Sequence, residues 1–229
     1  MKISWLILTY NRPETVRRAM RWNMANAGAE CDEIVWVDNG SESIWDIGPP
    51  MTLSDVVIQH NENLGVAKGY NRAMALSTGT HMVITGCDRL MPDNWLKIFK
   101  TEFEKDPALD AACMWEKPYS ERFYRGLPLP MGARMFSRRI LKLAGYLRED
   151  FGLYGWEDVE WAHRVCHATL KIKLLPQMPR HFGSEGIEAY NGMDPPEYHA
   201  FKAKEARDPK KKELFERCRR EGFPYYSPY

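Results

Sequence analysis

The sequence predicts an α/β protein with a mostly parallel central sheet flanked by helices. Up to about Trp115, short apolar runs rich in Ile, Val, Leu and Trp alternate with amphipathic stretches of helical period. Strands separated by helices pair in parallel through right-handed crossovers. Several of these runs end in clusters of Asn, Asp, Gly or Thr, and in such sheets ligands bind beyond the carboxyl ends of the strands. The chain has 229 residues, 44% hydrophobic and 28% charged, enough for one sizeable core and too few for two large domains.

Lys2–Thr9 is a short apolar run rich in Ile, Leu and Trp and reads as a buried strand. Asn11 is placed to cap the next helix and Pro13 suits its first turn, with Val16, Ala19, Met20 and Asn23 on one face. Glu33–Val37 is a second strand, closed by the turn signal Asp38-Asn39-Gly40-Ser41. Val56–Gln59 is a third strand, followed by an alanine-rich helix over Val66–Ser77 that Gly79 stops. His81–Thr85 is a fourth, and a helix over Pro92–Lys105 turns Trp95, Ile98, Phe99 and Phe103 inward. Beyond Trp115 the pattern loosens. Glu116–Met131, rich in Pro, Tyr and Arg, reads as a long loop; Ala133–Phe136 as a strand; and Ser137 as the cap of a helix that Gly145 ends. A helix over Glu157–Cys166 and a strand over Ile172–Leu175 follow, and from Gly183 onward the composition turns polar and proline-rich. One domain over 1–184, with halves 1–115 and 116–184, and a basic extension over 185–229 are expected.

A net charge of +1 excludes a strongly basic nucleic-acid binder. Five cysteines without a CxxC pair point to free thiols in a reducing compartment rather than a disulfide framework. No signal-peptide pattern and no apolar run of about 18 residues is present, so the expected location is cytoplasmic.

Three groups of residues have the makings of a site. The first is the set of strand ends, Thr9-Tyr10-Asn11-Arg12, Asp38-Asn39-Gly40-Ser41 and Asn63-Leu64-Gly65, which the topology brings to one edge. Lys68 and Arg72, one helical turn apart, are able to offset diphosphate charge or simply to be solvated. The second is Thr85-Gly86-Cys87-Asp88-Arg89-Leu90-Met91-Pro92, with a carboxylate where the fourth strand ends. The third is Gly155-Trp156-Glu157-Asp158-Val159-Glu160 with Arg164, an adjacent carboxylate pair at a helix entrance. A helix dipole alone favours acids there.

In order and spacing, NENLGVAKGYNRAMALSTGTHMVITGCDRLMPDNWL (Asn61–Leu96) and GLYGWEDVEWAHRV (Gly152–Val165) resemble the nucleotide-diphospho-sugar glycosyltransferases of family 2. That resemblance covers about Met1–Ser184 and implies the Rossmann-like GT-A fold. It implies that Thr9 and Arg12 touch the nucleotide, that Asp38 accepts a hydrogen bond from a uracil imide, and that Asn63 lines the base and ribose pocket. Tyr10, Asn39, Gly65, Lys68, Arg72 and Cys87 belong to the same cradle. Family members usually carry two aspartates where Thr85 and Cys87 stand here, so only Asp88 remains acidic.

Three readings of that departure stand: Asp88 as sole carboxylate ligand of Mn2+ or Mg2+, Arg89 supplying charge without a metal, or a degenerate relative with a buried Cys87. His181, after the last strand, matches a histidine that completes the metal site in many relatives, although a lone histidine is more often structural. The resemblance makes Asp158 the catalytic base, with Glu157 orienting the acceptor or the helix end. Trp115, Tyr154 and Trp156 are candidates for stacking on sugar or for core packing. His60, His81, His163, His167 and His199 show no ligand spacing.

Phe201–Gly222 is either a solvated amphipathic helix packing on the body, with Leu214, Phe215 and Cys218 on one face, or a basic patch for a polyanion or an anionic membrane surface. The implied function is inverting transfer of a sugar from a nucleotide diphosphate, with UDP the expected nucleotide, to a hydroxyl on a protein, glycan or modified DNA base. The rival is a silent nucleotide-binding protein. A nucleotidyltransferase is disfavoured by the lack of a glycine-rich, lysine-bearing loop near the N-terminus.

Overall fold

Strand β1 (Ile3–Thr9) is buried at every position, as a continuous apolar run in a central parallel strand should be. It pairs in parallel with β2 (Glu33–Asp38) on one side. In the computed structural model, which describes residues 1–42, 54–114, 133–168, 171–177, 179–181, 200–201, 203–205 and 207–229, β3 (Val56–Gln59) lies outside β2. The expected loop Glu116–Met131, Trp115, His199 and the first part of the polar stretch, 183–199, lie outside the described residues. Strand β4 (His81–Thr85) flanks β1 on the other side, also in parallel. A short β5 (Arg89–Leu90) follows it. Strand β6 (Ala111–Met114) joins the far side of β7 (Ala133–Ser137), which is antiparallel to both β4 and β6. Strand β8 (Ile172–Leu175) ends the seven-stranded sheet, whose order is β3-β2-β1-β4-β7-β6-β8. A second sheet pairs β5 with β9 (Arg180–His181).

Helix α1 (Pro13–Ala25) and, beyond α2 (Val66–Leu76), helix α3 (Trp95–Lys105) lie with one core cluster: Trp5, Ile7, Met20, Trp36, Trp95 and Phe99. Helix α4 (Arg139–Leu143) and α5 (Glu157–His167) join α2 in the other cluster, with Leu6, Leu8, Tyr70, Phe136 and Trp161. Alternation along β1 sends Trp5 and Ile7 to one cluster and Leu6 and Leu8 to the other. The buried indoles find acceptors: Trp5 Nε1 donates to Thr85 Oγ1 (2.9 Å) and Trp95 Nε1 to the Asn23 carbonyl (2.8 Å).

Some local expectations are corrected. Arg12, not Asn11, occupies the N-cap of α1, and the Asn11 side chain instead accepts from the Glu42 N–H (3.1 Å). Ser137 ends β7, and Arg138 precedes α4 in its place. Strand β6 escapes sequence reading because AACM is short and built of small residues. The basic C-terminal stretch forms helix α6 (Pro209–Arg220), capped by Asp208, whose side chain accepts from the Lys210 N–H. It packs on the body as the amphipathic reading expects, with Phe215, Cys218 and Phe223 joining Phe151 in a third apolar cluster.

Candidate active site

The strand-end clusters are laced together by their own side chains. Asp38 is fully buried. Its Oδ1 accepts from the Thr9 hydroxyl (2.9 Å) and from Ser41 Oγ, and its Oδ2 from the Ser41 N–H (2.8 Å). Asn39 Nδ2 donates to Asn63 Oδ1 (2.7 Å) and to the Gly65 carbonyl (3.1 Å), while its Oδ1 accepts from the Leu64 N–H (3.1 Å). The Asn39 N–H donates to the Thr9 carbonyl (2.7 Å). These bonds give the edge a fixed shape, which is what a preformed ligand cradle requires. Tyr10 sits half-buried beside it. Lys68 and Arg72 are on the exposed side of α2, outside this lacing. Arg72 lies near His60, whose imidazole is held below its usual pKa by burial first and by that guanidinium second.

At the end of β4, Thr85 is buried beneath Trp5 and committed to its indole. Cys87 is partly buried against an apolar cluster. Asp88 pairs with Arg12 (3.5 Å), their side chains 13% and 8% exposed. Arg12 reaches it from the N-cap of α1 with a φ of 59°. Antiparallel pairing of β5 with β9 sets Arg89 directly across from His181, one residue from Asp88. The ladder sets the backbone of His181 beside that of the residue after Asp88, the other residue expected to hold a metal. A carboxylate oxygen and an imidazole are both ligand types that Mn2+ or Mg2+ accept. Among the described residues no group of three or more His, Cys, Asp or Glu has metal-binding spacing.

The carboxylate pair opens α5 as expected. Glu157 is only 4% exposed, and among the described residues its Oε2 has no hydrogen-bond partner. Burial first and the adjacent Asp158 second push its carboxyl up to about 8. Asp158 is half-buried and its Oδ1 accepts from the Val159 N–H (2.8 Å). Arg164 belongs elsewhere. Its guanidinium is buried, forks onto Glu160 (2.7 and 2.8 Å), and also donates to the Ala144 and Tyr146 carbonyls, tying α5 to the end of α4.

The pair is presented by a loop, Gly152–Trp156, in which Gly152, Gly155 and Trp156 all have positive φ. For a tryptophan, at φ 77°, this is strained geometry of the kind that clusters at functional sites. The loop rests against the donor edge. The Val66 N–H donates to the Leu153 carbonyl (3.0 Å), and a Cβ on Gly65 would stand 2.7 Å from the Gly152 oxygen. No side chain fits there, so the glycine lets segments nearly ninety positions apart meet.

Three further residues were missed by sequence reasoning. Tyr70 is buried in α2 close to Cys87, Asp88 and Arg134, and burial raises its hydroxyl. Arg134 is wholly buried in β7 with its guanidinium 4.4 Å from the Trp161 ring. A cation inside the apolar run ARMF was the available signal. Lys211 comes from α6, and nothing in its basic surroundings distinguished it.

A doubly covered sheet, a laced strand-end cradle and a carboxylate loop docked on it define a GT-A-type architecture. Residues 4–159 match the model for glycosyl transferase family 2, and the chain belongs to that family. The fold is similar to that of mannosyltransferase PcManGT from Pyrobaculum calidifontis, solved with GDP-Man and Mn2+. Their TM-score is 0.64 at 20% identity, over 87% of this chain and 59% of the other. It is also similar to S. aureus TarS 1-349 (TM-score 0.63, 19% identity, 76% of this chain and 58% of that one). A third similar structure is glucosyl-3-phosphoglycerate synthase from Mycobacterium tuberculosis, solved with Mn2+, UDP and glucosyl-3-phosphoglycerate (TM-score 0.60, 17% identity, 79% and 71%). The chain thus spans about three fifths of the first two. No curated protein gives a significant match. No described helix is long and apolar enough to cross a membrane.

Proposed function

We propose that the protein is an inverting glycosyltransferase that moves a sugar from a nucleotide diphosphate, UDP in our reading, to an acceptor hydroxyl on a protein, glycan or modified DNA base. The observation that carries this reading is the docking of the Glu157–Asp158 loop on the donor edge through Gly65 and Val66. The nucleotide lies along Thr9–Arg12, Asp38–Ser41 and Asn63–Gly65. Asp158 takes the acceptor proton as the hydroxyl oxygen bonds to the anomeric carbon, on the face opposite the diphosphate. The bond from that carbon to the diphosphate oxygen breaks, and the nucleoside diphosphate leaves with the electron pair. Glu157, protonated below about pH 8, sits beside the base without a second negative charge and orients the acceptor. Arg12, Lys68 and Arg72 offset the leaving charge. Asp88 and His181 would hold Mn2+ or Mg2+, which supplies positive charge to the diphosphate. The free cysteines suit a reducing compartment, and the reading places the protein in the cytoplasm.

The rival, a silent nucleotide-binding protein, draws on Thr85, which is spent on Trp5. Both readings require the cradle to bind nucleotide. UDP at ~100-fold above its Kd should raise the melting temperature by roughly 5 °C or more. No shift with any nucleoside diphosphate at millimolar concentration, with or without Mn2+, removes the donor-site assignment. Slow hydrolysis of a nucleotide sugar then separates the two, because only the enzyme turns over.

For the metal, EDTA should abolish turnover, and Asp88→Asn and His181→Ala should each raise the Mn2+ concentration needed for half-maximal activity. Full activity in EDTA would assign the diphosphate charge to Arg12, Lys68, Arg72 and Arg89 alone.

A further inference from the structure

We propose that the C-terminal helix completes the acceptor side of the site, with Lys211 as the positioning residue that holds the Gly152–Trp156 loop and its carboxylates in place. The proposal rests on the glycosyltransferase reading above. Lys211 lies beyond residue 159, where the family match ends.

Lys211, Phe215 and Cys218 line the buried side of α6. Lys211 is only 6% exposed, an unusual place for an ammonium unless its charge is used. Its Nζ donates to the Tyr154 carbonyl (2.8 Å) at the centre of the loop and pairs with Glu205 Oε2 (2.8 Å). Its Cε and Nζ also close over Gly152, each 3.8 Å from where a Cβ would be. One turn further on, the Phe215 ring lies 5.2 Å from that of Trp156, the strained residue before Glu157. The loop is therefore gripped from two sides, by Val66 on the donor edge and by α6 behind. A segment with three left-handed residues keeps its shape only when its surroundings over-determine it. Lys211 adds a second effect: its charge opposes the upward push that burial and Asp158 exert on the Glu157 carboxyl. Among the described residues, Asp158 and Lys211 are the charged groups that act most on Glu157, and Lys211 is itself paired with Glu205.

Two variants test this, each assayed by hydrolysis of a UDP-sugar with water standing in for the acceptor. Lys211→Met keeps the apolar stem and removes both the hydrogen bond and the charge. Turnover should fall by roughly 10- to 100-fold, UDP affinity should stay within about 2-fold, and the alkaline limb of the kcat profile should move up by about half a pH unit or more. Lys211→Gln is able to keep the bond to Tyr154 while losing the charge. It should move the limb in the same direction with a smaller loss of turnover, and it serves alone if the methionine variant does not fold. A limb that stays in place in both variants, or a loss of UDP affinity matching the loss of turnover, overturns the role. Wild-type protein without turnover or a UDP thermal shift overturns the underlying reading, and this proposal with it. A wild-type enzyme that turns over, with Lys211 variants that do so equally well, overturns this proposal alone.

Discussion

Replacing Asp158 by Asn is expected to cut turnover by roughly 10²-fold or more while nucleotide affinity stays nearly unchanged. The substitution preserves shape and an accepting oxygen, so the hydrogen bond from the Val159 N–H survives. What disappears is the basic oxygen that, in the proposed reaction, receives the acceptor proton. Asp158 is not the N-cap of α5; Trp156 is, and it makes no side-chain capping bond. A purely structural role therefore predicts almost no effect, because Asn serves a helix start about as well as Asp. Single-turnover rates with titrated UDP separate the outcomes. An Asp158→Asn enzyme with near wild-type turnover would remove Asp158 as the base.

Glu157→Gln should instead change how the protein responds to pH. In the unfolded chain this carboxyl ionises around its ordinary value of 4.5; in the fold, burial and Asp158 push it up to about 8. Its contribution to stability is full below about pH 4.5 and is lost as pH rises to about 8, because the unfolded state ionises first. Glutamine has no such dependence. The melting temperature of the variant relative to wild type should therefore climb from pH 5 to pH 9, reaching an advantage on the order of 5 °C. Turnover of wild type should fall above pH 8 as a second negative charge appears beside the base, and the variant should lack that limb. Its loss of turnover at pH 7 should be smaller than that of the Asp158 variant. A melting-temperature difference that is constant across pH would show that the carboxyl titrates normally.

The parts of this fold legible in the sequence are those where local pattern and tertiary role agree. Strand β1 is rich in Ile, Leu and Trp because it lies inside the sheet with strands on both sides, and α2 and α5 begin where expected. Strand β6 is illegible because Ala111–Met114 is short and its small residues carry no periodicity. Neither strand of the β5–β9 pair has more than two residues, and only long-range pairing stabilises them. At the candidate site, the strand-end clusters do converge, since their placement follows from topology. The Thr9–Asp38 and Asn39–Asn63 bonds, and the use of Thr85 by Trp5, depend on partners 24 to 80 positions apart. Lys211 was hidden for a related reason: among many cations in α6, only docking shows which one is buried.

The contact between Gly65 and Leu153 makes the two halves of the site thermodynamic neighbours. A single backbone bond, from the Val66 N–H to the Leu153 carbonyl, joins the loop before α2 to the loop before α5. In the proposed reaction a nucleotide along Asn63–Gly65 and an acceptor beside Gly152–Trp156 would bear on segments joined by that bond, so each ligand would meet a segment whose geometry the other helps to hold. Such coupling is reciprocal: by whatever factor bound nucleotide tightens the acceptor, the acceptor must tighten the nucleotide. On the proposed reaction, release of the glycosylated product would then loosen the hold on the spent nucleoside diphosphate, giving the cycle a preferred order without any hinge between domains.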